Sequence, residues 1–338
     1  MTSTAPRSSQ SGRNAGARRR DGFRERSMVP RAEFASYYGR PVLHQPTWSA
    51  RDIASYLFLG GLAGASSLLG AGAHATGRPA LARASKLAAA GAIGLSAAAL
   101  VHDLGRPARF ANMLRVFKPT SPMSVGSWLL AGYGPMAFGA ALCDATGRLP
   151  RAGALATTGA AAFGPGIAAY TAVLVADTAV PAWHEGYREL PFVFVGSAAA
   201  SAGGLGMAAA PLRQAGPARR AALLGAATEL AATETMRRRL GFVAQPYRTG
   251  TGGRLLRAAR LLAAAGAIGT ATVARRSRVG AVLSGLALLA GSAATRFAVF
   301  HAGVESTRDP KYVVRPQRER LSTASSTVDG GSTMDGTG

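Results

Sequence analysis

H-D-L-G-R-P-A-R-F-A-N-M-L-R-V-F-K-P-T-S-P-M-S-V-G-S-W, residues His102 to Trp128, is the densest run of polar and special-geometry residues in the chain. The rest is dominated by Ala, Gly, Leu and Val. An apolar run enters this stretch on one side and another leaves on the other, so it reads as a loop between two hydrophobic elements. Loops on a rigid scaffold are where function concentrates. The fold follows from the flanking elements, near 81–102 and 125–146. Each has the roughly 20 apolar residues needed to cross a bilayer as a helix.

Composition supports a membrane setting. The 338 residues are 48% hydrophobic and 16% charged, yet the formal net charge is +23. Nucleic-acid binders and membrane proteins with basic loops both reach such values. A nucleic-acid domain gathers its cations on one face of a soluble fold. Here they sit in the tails and in short gaps between long uncharged runs, which argues against a nucleic-acid partner and for the lipid bilayer. The mean hydropathy of +0.13 is modest because the spans are Ala-rich and the ends are polar. Cys143 is the single cysteine. An iron–sulfur cluster needs about four thiolates, so none is expected here, nor a zinc ribbon. Cys143 reads as a small packing residue.

Residues 1–50 are rich in Ser, Gly and Arg, including Arg18-Arg19-Arg20, and read as a disordered basic tail. No apolar region follows the arginines closely enough for a cleaved signal. From Asp52 onward, apolar runs of spanning length recur about eight times. They lie near 52–74, 81–102, 125–146, 152–180, 190–212, 218–236, 254–274 and 279–302. The fourth contains Gly164-Pro165-Gly166, which should kink or break it. The sixth is weakened by Glu229 and Glu234. Small residues at close spacing, as in Gly60-Gly61 and Gly64, let helices approach backbone to backbone in lipid. A soluble helical bundle would need polar faces at period 3.6, and these runs have none. The expected fold is an all-α integral membrane protein of about eight transmembrane helices over 51–303, arranged as two four-helix bundles. A C-terminal tail over 304–338 follows, largely disordered beyond about 320.

An even number of spans puts both tails on one side, together with the loops near 103–124, 181–189 and 237–253. Short turns near 75–80, 147–151, 213–217 and 275–278 fall on the other. Lys and Arg are enriched on the tail side, mostly through the N-terminal tail. The positive-inside rule then places both termini in the cytoplasm of a multi-pass cell-membrane protein.

Every conspicuous polar motif falls on that same face. Asp103 and Arg106 stand three apart at a helix end that Gly105 and Pro107 terminate. They form either an ion pair near a bound ligand or partner, or a salt bridge that fixes loop shape; Arg109 belongs to the same loop. His102 and His184 are possible proton donors near neutral pH. In W-H-E-G-Y-R-E-L-P, Glu185 and Arg188 can pair at helical spacing, and Trp183 reads as part of an interfacial aromatic belt. Tyr170 and Asp177, seven apart on one stripe of the fourth span, suit a wall that hydrogen-bonds a quinone head group. A carboxylate there must face the bundle interior. Glu229, Glu234 and Arg296 are buried-charge candidates, paired or on a proton path. His44, His74, His102, His184 and His301 all fall in tails, loops or span ends, which argues against haem. The glycine-rich strings lie in apolar helices with no preceding strand, so they are not nucleotide fingerprints. No metal site is expected.

Asp103 to Trp128 resembles the signature loop of the NrfD-like family, the polysulfide reductase membrane subunits. Tyr37 to Val42, Tyr56 to Gly64, Tyr170 to Pro191 and Asp309 to Gln317 fit the same family, in order over roughly 37–320. The resemblance implies a multi-span subunit of a molybdopterin oxidoreductase complex. It would bind menaquinone or ubiquinone and exchange electrons with a separate ferredoxin-like iron–sulfur subunit, with no haem or cluster of its own. In that reading Tyr170, Asp177, His102 and Asp103 line or serve the quinone site. Arg106, Arg109, Trp183, His184, Glu185 and Arg188 shape the junction with the partner. A small-molecule or ion transporter is the competing reading, suggested by the Gly-Pro-Gly break and the buried charges; no internal sequence repeat supports it. A purely structural anchor is the third.

Overall fold

Local sequence signals set most helix boundaries. Ser49 starts the first long helix, α1 (Ala50–Ala75), its hydroxyl accepting from the Asp52 amide at 3.3 Å. α2 (Pro79–Leu104) begins on a proline and ends at Gly105, whose φ of 70° is the left-handed stop. The short α3 (Ala108–Met113) lies inside the polar stretch, and α4 (Pro122–Thr146) ends at Gly147 with φ 66°. α5 (Pro150–Ala176), α6 (Pro181–His184), α7 (Leu190–Ala209) and α8 (Gly216–Arg239) each carry a proline in the first turn. A 3₁₀ segment, Gly241–Tyr247, leads to α9 (Gly250–Thr272) and α10 (Arg278–Arg308). The computed structural model describes residues 43–106 and 108–318. The expectations for residues 1–42, for Pro107 and for the chain beyond 318 lie outside the described residues.

The eight long helices fall on the eight expected spans, and no strand occurs among the described residues. Five of them, α1, α2, α5, α7 and α10, are long and apolar enough to cross a membrane by length and composition. The other three are interrupted by proline or by charged residues. α4 carries Pro135, α8 carries Glu229 and Glu234, and α9 begins with Arg254, Arg257 and Arg260. Leu224 on α8 and Leu261 on α9 are nonetheless exposed, as is Leu155 on α5, an apolar surface suited to lipid.

Helix pairing divides the molecule. α1, α2, α4 and α5 pack each on the next and close into a ring, and α7, α8, α9 and α10 do the same. The rings meet where α1 packs on α7 and α10 and where α5 packs on α7. The repeat that the sequence conceals is therefore present in the packing. It extends to single residues. A Cβ on Gly64 of α1 would lie 2.4 Å from the Gly164 carbonyl of α5, and one on Gly204 of α7 would lie 2.6 Å from the Gly285 carbonyl of α10. In each ring the first and fourth helices touch through paired glycines, the close approach that helix association in lipid uses.

The break expected in the fourth span is corrected here. α5 runs unbroken through Gly164-Pro165-Gly166, and Gly164 serves close packing against α1. The discontinuous helix that would favour a transporter is absent from this element. The last span also continues past 303 to Arg308, and residues 311–318 are helical. This segment seats on the 3₁₀ segment through Tyr312 and Phe242 (ring centroids 5.3 Å apart) and Arg315 over Phe242. Lys311 holds Asp309 at 2.9 Å. Partial burial pushes the Asp309 carboxyl up, but the Lys311 hydrogen bonds outweigh it and leave the group below its ordinary value.

Candidate functional site

The tail-side end of the first bundle holds a cleft with about 630 Å³ of empty space, counting its open mouth. Four helix ends build it. α1 contributes Ile53, Tyr56 and Leu57; α2 contributes Leu100, Asp103 and Leu104; α4 contributes Met123, Gly126, Ser127 and Leu130; α5 contributes Tyr170, Leu174 and Val175. Trp48 precedes α1 and Met113 comes from α3, so the polar stretch folds over the cleft and supplies part of its lining. Met123 is exposed at the edge, where the apolar lining opens outward.

Tyr170 and Asp103 are two of the polar residues that line this largely apolar space. Tyr170 is buried, and its hydroxyl has no hydrogen-bond partner within the protein. A buried hydroxyl without a protein partner favours an acceptor that enters the cleft and pairs with it. The ring stands where it does because residue 126 is glycine: a Cβ there would lie 2.3 Å from the ring. Asp103 is half-buried, and its Oδ1 accepts from the Ser49 amide at 2.9 Å, tying the end of α2 to the start of α1. The expected Asp103–Arg106 ion pair does not form within 4.0 Å; the carboxylate turns inward to the amide, and Arg106 is exposed. Arg109, also exposed, donates to the Leu104 carbonyl at 2.8 Å and so helps close the end of α2.

The other candidates separate from the cleft. His102 is exposed beside it, with Nδ1 3.0 Å from Asp52 Oδ2. Asp177 is corrected: α5 stops at Ala176, and Asp177 is its exposed cap, outside the cleft and facing no bundle interior. Trp183 is corrected as well. It is 1% exposed, donates to the Val299 carbonyl at 2.7 Å and stacks on Trp48 at 6.0 Å. It is a core residue that props the cleft wall through Trp48, with no surface to offer a partner. His184 is exposed, 3.2 Å from the Ala176 carbonyl at the end of α5, and with Glu185 it lines a second, shallower pocket under residues 312–317. Arg188 donates to the Tyr187 hydroxyl at 2.8 Å.

The buried-charge candidates divide in the same way. Glu229 is 3% exposed and accepts from the Thr295 hydroxyl at 2.6 Å, while its second oxygen has no partner. Arg296 is fully buried between the rings, donating to Leu57 of α1 and Phe194 of α7 with its guanidinium 3.8 Å over the Phe194 ring. Glu234 is corrected: it lies near the tail-side end of α8 in a cluster with Arg237, Arg238 and Arg260, a surface network rather than an interior path. Tyr56, Trp48 and Ser127 were not singled out by sequence reasoning as site residues. Tyr56 and Ser127 do fall inside the quoted family motifs, the one signal that could have found them.

No group of three or more His, Cys, Asp or Glu able to hold a metal occurs among the described residues. No curated protein matches the chain closely enough to add a relative. The family model for NrfD, polysulphide reductase, matches residues 44–224, which takes in the whole first bundle, its cleft and the polar stretch over it. With more than half of its length matched, the chain belongs to the NrfD family of quinone-interacting membrane subunits of molybdopterin oxidoreductase complexes.

Proposed function

We propose that this protein is the quinone-reactive anchor of such a complex, binding menaquinone or ubiquinone in the cleft of the first bundle. There it exchanges electrons with a ferredoxin-like iron–sulfur subunit docked on the tail-side face, next to a molybdopterin catalytic subunit. The observation that carries the reading is the unpartnered Tyr170 hydroxyl, buried in an apolar cleft that opens at its edge. A quinone offers what this space lacks: an apolar ring and tail with carbonyl acceptors. Tyr170 donates to one carbonyl. Asp103, at the mouth, takes or supplies the proton that accompanies each electron, and the His102–Asp52 pair beside it connects that mouth to water. Quinone and two electrons from the iron–sulfur partner, with two protons, give quinol; the reverse reaction returns both. Arg106, Arg109, Arg188 and His184 are exposed on the same face and form the junction. The membrane is the cell membrane, with both termini cytoplasmic.

The test is quinone turnover in the assembled complex. Tyr170→Phe keeps the ring and removes the hydroxyl, and should raise KM for quinone by about 3–10-fold, the worth of one neutral hydrogen bond. Asp103→Asn should lower kcat by about 100-fold if the carboxylate moves the proton. Wild-type kinetics in both variants would place the quinone elsewhere.

A further inference from the structure

The face opposite the polar loops carries charge that the quinone site does not use. At the second ring this face is built from two short turns, one between α7 and α8 and one between α9 and α10. Arg213, Arg219 and Arg220 lie in or beside the first turn, and Arg275, Arg276 and Arg278 in or beside the second. Residues 207–220 and 268–284, which hold both turns and the adjoining helix ends, contain no Asp or Glu. The first ring is balanced differently on the same face, where Lys86 of α2 is held by Asp144 of α4 at 2.8 Å.

The six arginines form one patch. Arg278 Nη1 donates to the Met207 and Ala210 carbonyls at 2.7 and 2.8 Å, which ties the start of α10 to the end of α7. Arg219 Nη1 donates to the Leu212 carbonyl at 3.2 Å, and Arg275 stands near enough to repel it. Arg213, Arg220, Arg275 and Arg276 are exposed and make no hydrogen bond or ion pair among the described residues. Like charges gathered in this way repel until an anion joins them. A guanidinium offers a planar fork of donors that matches the oxygens of a phosphate. Below the patch the surface is apolar. Val279, Leu283 and Leu286 are exposed along one stripe of α10, with Ile268 of α9 and Val273 just beyond that helix. Leu286 lies eight residues past Arg278, a rise of about 12 Å, which stays within the roughly 15 Å half-thickness of a hydrocarbon core.

We propose that this patch is a binding site for a two-phosphate anionic phospholipid, a diphosphatidylglycerol, in the leaflet opposite the polar loops. The cations fall into two groups, and each takes one phosphate. Arg213, Arg219 and Arg220 hold one from the α7–α8 turn, and Arg275 and Arg276 hold the other from the α9–α10 turn. Arg278, spent on the carbonyls of α7, keeps the two turns together. The acyl chains lie along Val279, Leu283 and Leu286, a surface for which a dissolved anion has no use. The bound lipid bridges the two helix pairs of the second ring at this end and turns the repulsion between Arg219 and Arg275 into shared attraction. The proposal does not depend on where quinone binds.

Native mass spectrometry of the full chain in detergent tests this, with diphosphatidylglycerol, phosphatidylglycerol or phosphatidylcholine added. The wild-type chain should retain one diphosphatidylglycerol about tenfold or more better than either other lipid, and that lipid should raise its unfolding midpoint. Arg275→Gln with Arg276→Gln changes two exposed side chains that hold nothing in the fold, and should weaken retention by about tenfold or more. Arg148→Gln with Arg151→Gln removes the same charge from the first ring on this face and should leave retention unchanged. Millimolar inorganic phosphate should neither displace the lipid nor raise the midpoint. Equal loss in the two double variants would reduce the effect to general charge attraction and overturn the site. Equal retention of the two anionic lipids would overturn the two-phosphate headgroup, and stabilisation by phosphate alone would overturn the lipid. Absence of retained lipid would overturn the proposal outright; if Arg275→Gln with Arg276→Gln then weakened assembly of the complete complex, the patch would belong to an acidic protein partner instead.

Discussion

Gly126 decides where Tyr170 can stand. With a Cβ the α4 backbone would overlap the ring at 2.3 Å, so Gly126→Ala must push the hydroxyl out of the cleft or part the helices. Overpacking of this kind costs roughly 1–3 kcal/mol. The variant should show a lowered unfolding midpoint in detergent together with quinone affinity at least as poor as that of Tyr170→Phe. An unchanged quinone KM would mean that the Tyr170 hydroxyl has no part in binding. At this scale the sequence is legible where a polar residue interrupts an apolar run, as Tyr170 does, or sits in a polar loop between two such runs, as Asp103 does. It misleads where a distant residue decides the environment. Trp183 looks interfacial beside a polar loop, yet Gly303 on α10 clears the space that buries it; a Cβ there would lie 1.9 Å from the indole. Asp177 looks intramembrane because no glycine or proline marks the true end of α5, and the apolar run reads on to Val180. Lys86 acquires meaning only through Asp144, 58 residues away.

Helices are the most legible unit of this chain and their pairings the least. Run length alone locates eight elements, because a bilayer demands a fixed number of apolar residues. Which helix touches which depends on surfaces that share one small-residue composition throughout, so neither the two rings nor their repeat can be read from spacing. The paired glycines show what carries that information. Replacing Gly64 with Val would drive a branched side chain into the Gly164 carbonyl, and Gly204→Val would do the same against Gly285. Each should destabilise its own ring by about 2 kcal/mol or more. The two differ in function: Gly64→Val displaces α1 and α5, which line the cleft, whereas Gly204→Val acts in the ring without it. Hydrogen exchange in detergent should show loosening confined to α1 and α5 in the first variant and to α7 and α10 in the second. Equal loosening of both rings in either variant would show that they form a single cooperative unit.

Arg296 gives the molecule its seam. Its guanidinium reaches carbonyls of both rings, Leu57 and Phe194, and Leu57 is also a wall of the cleft. The whole fold thus places the polar stretch, the 181–189 loop, the cleft mouth and residues 309–318 at one end, and the short turns after α1, α4, α7 and α9 at the other. This parity was legible in the sequence because counting spans requires no knowledge of their packing. The side of the membrane is a separate matter, and it has a direct test. Cys143 is the chain's only thiol and can be removed as Cys143→Ser. In that background Arg109→Cys and Arg188→Cys should react with a membrane-impermeant thiol reagent from one side, and Arg148→Cys and Arg213→Cys from the other. All four positions lie in loops or at helix ends near the polar boundaries. With the termini cytoplasmic, intact cells should label Arg148→Cys and Arg213→Cys, and inverted vesicles should label Arg109→Cys and Arg188→Cys. Exchange of the two pairs would reverse the orientation and keep the fold. Labelling of Arg109→Cys and Arg148→Cys from the same side would break the parity on which the docking face depends.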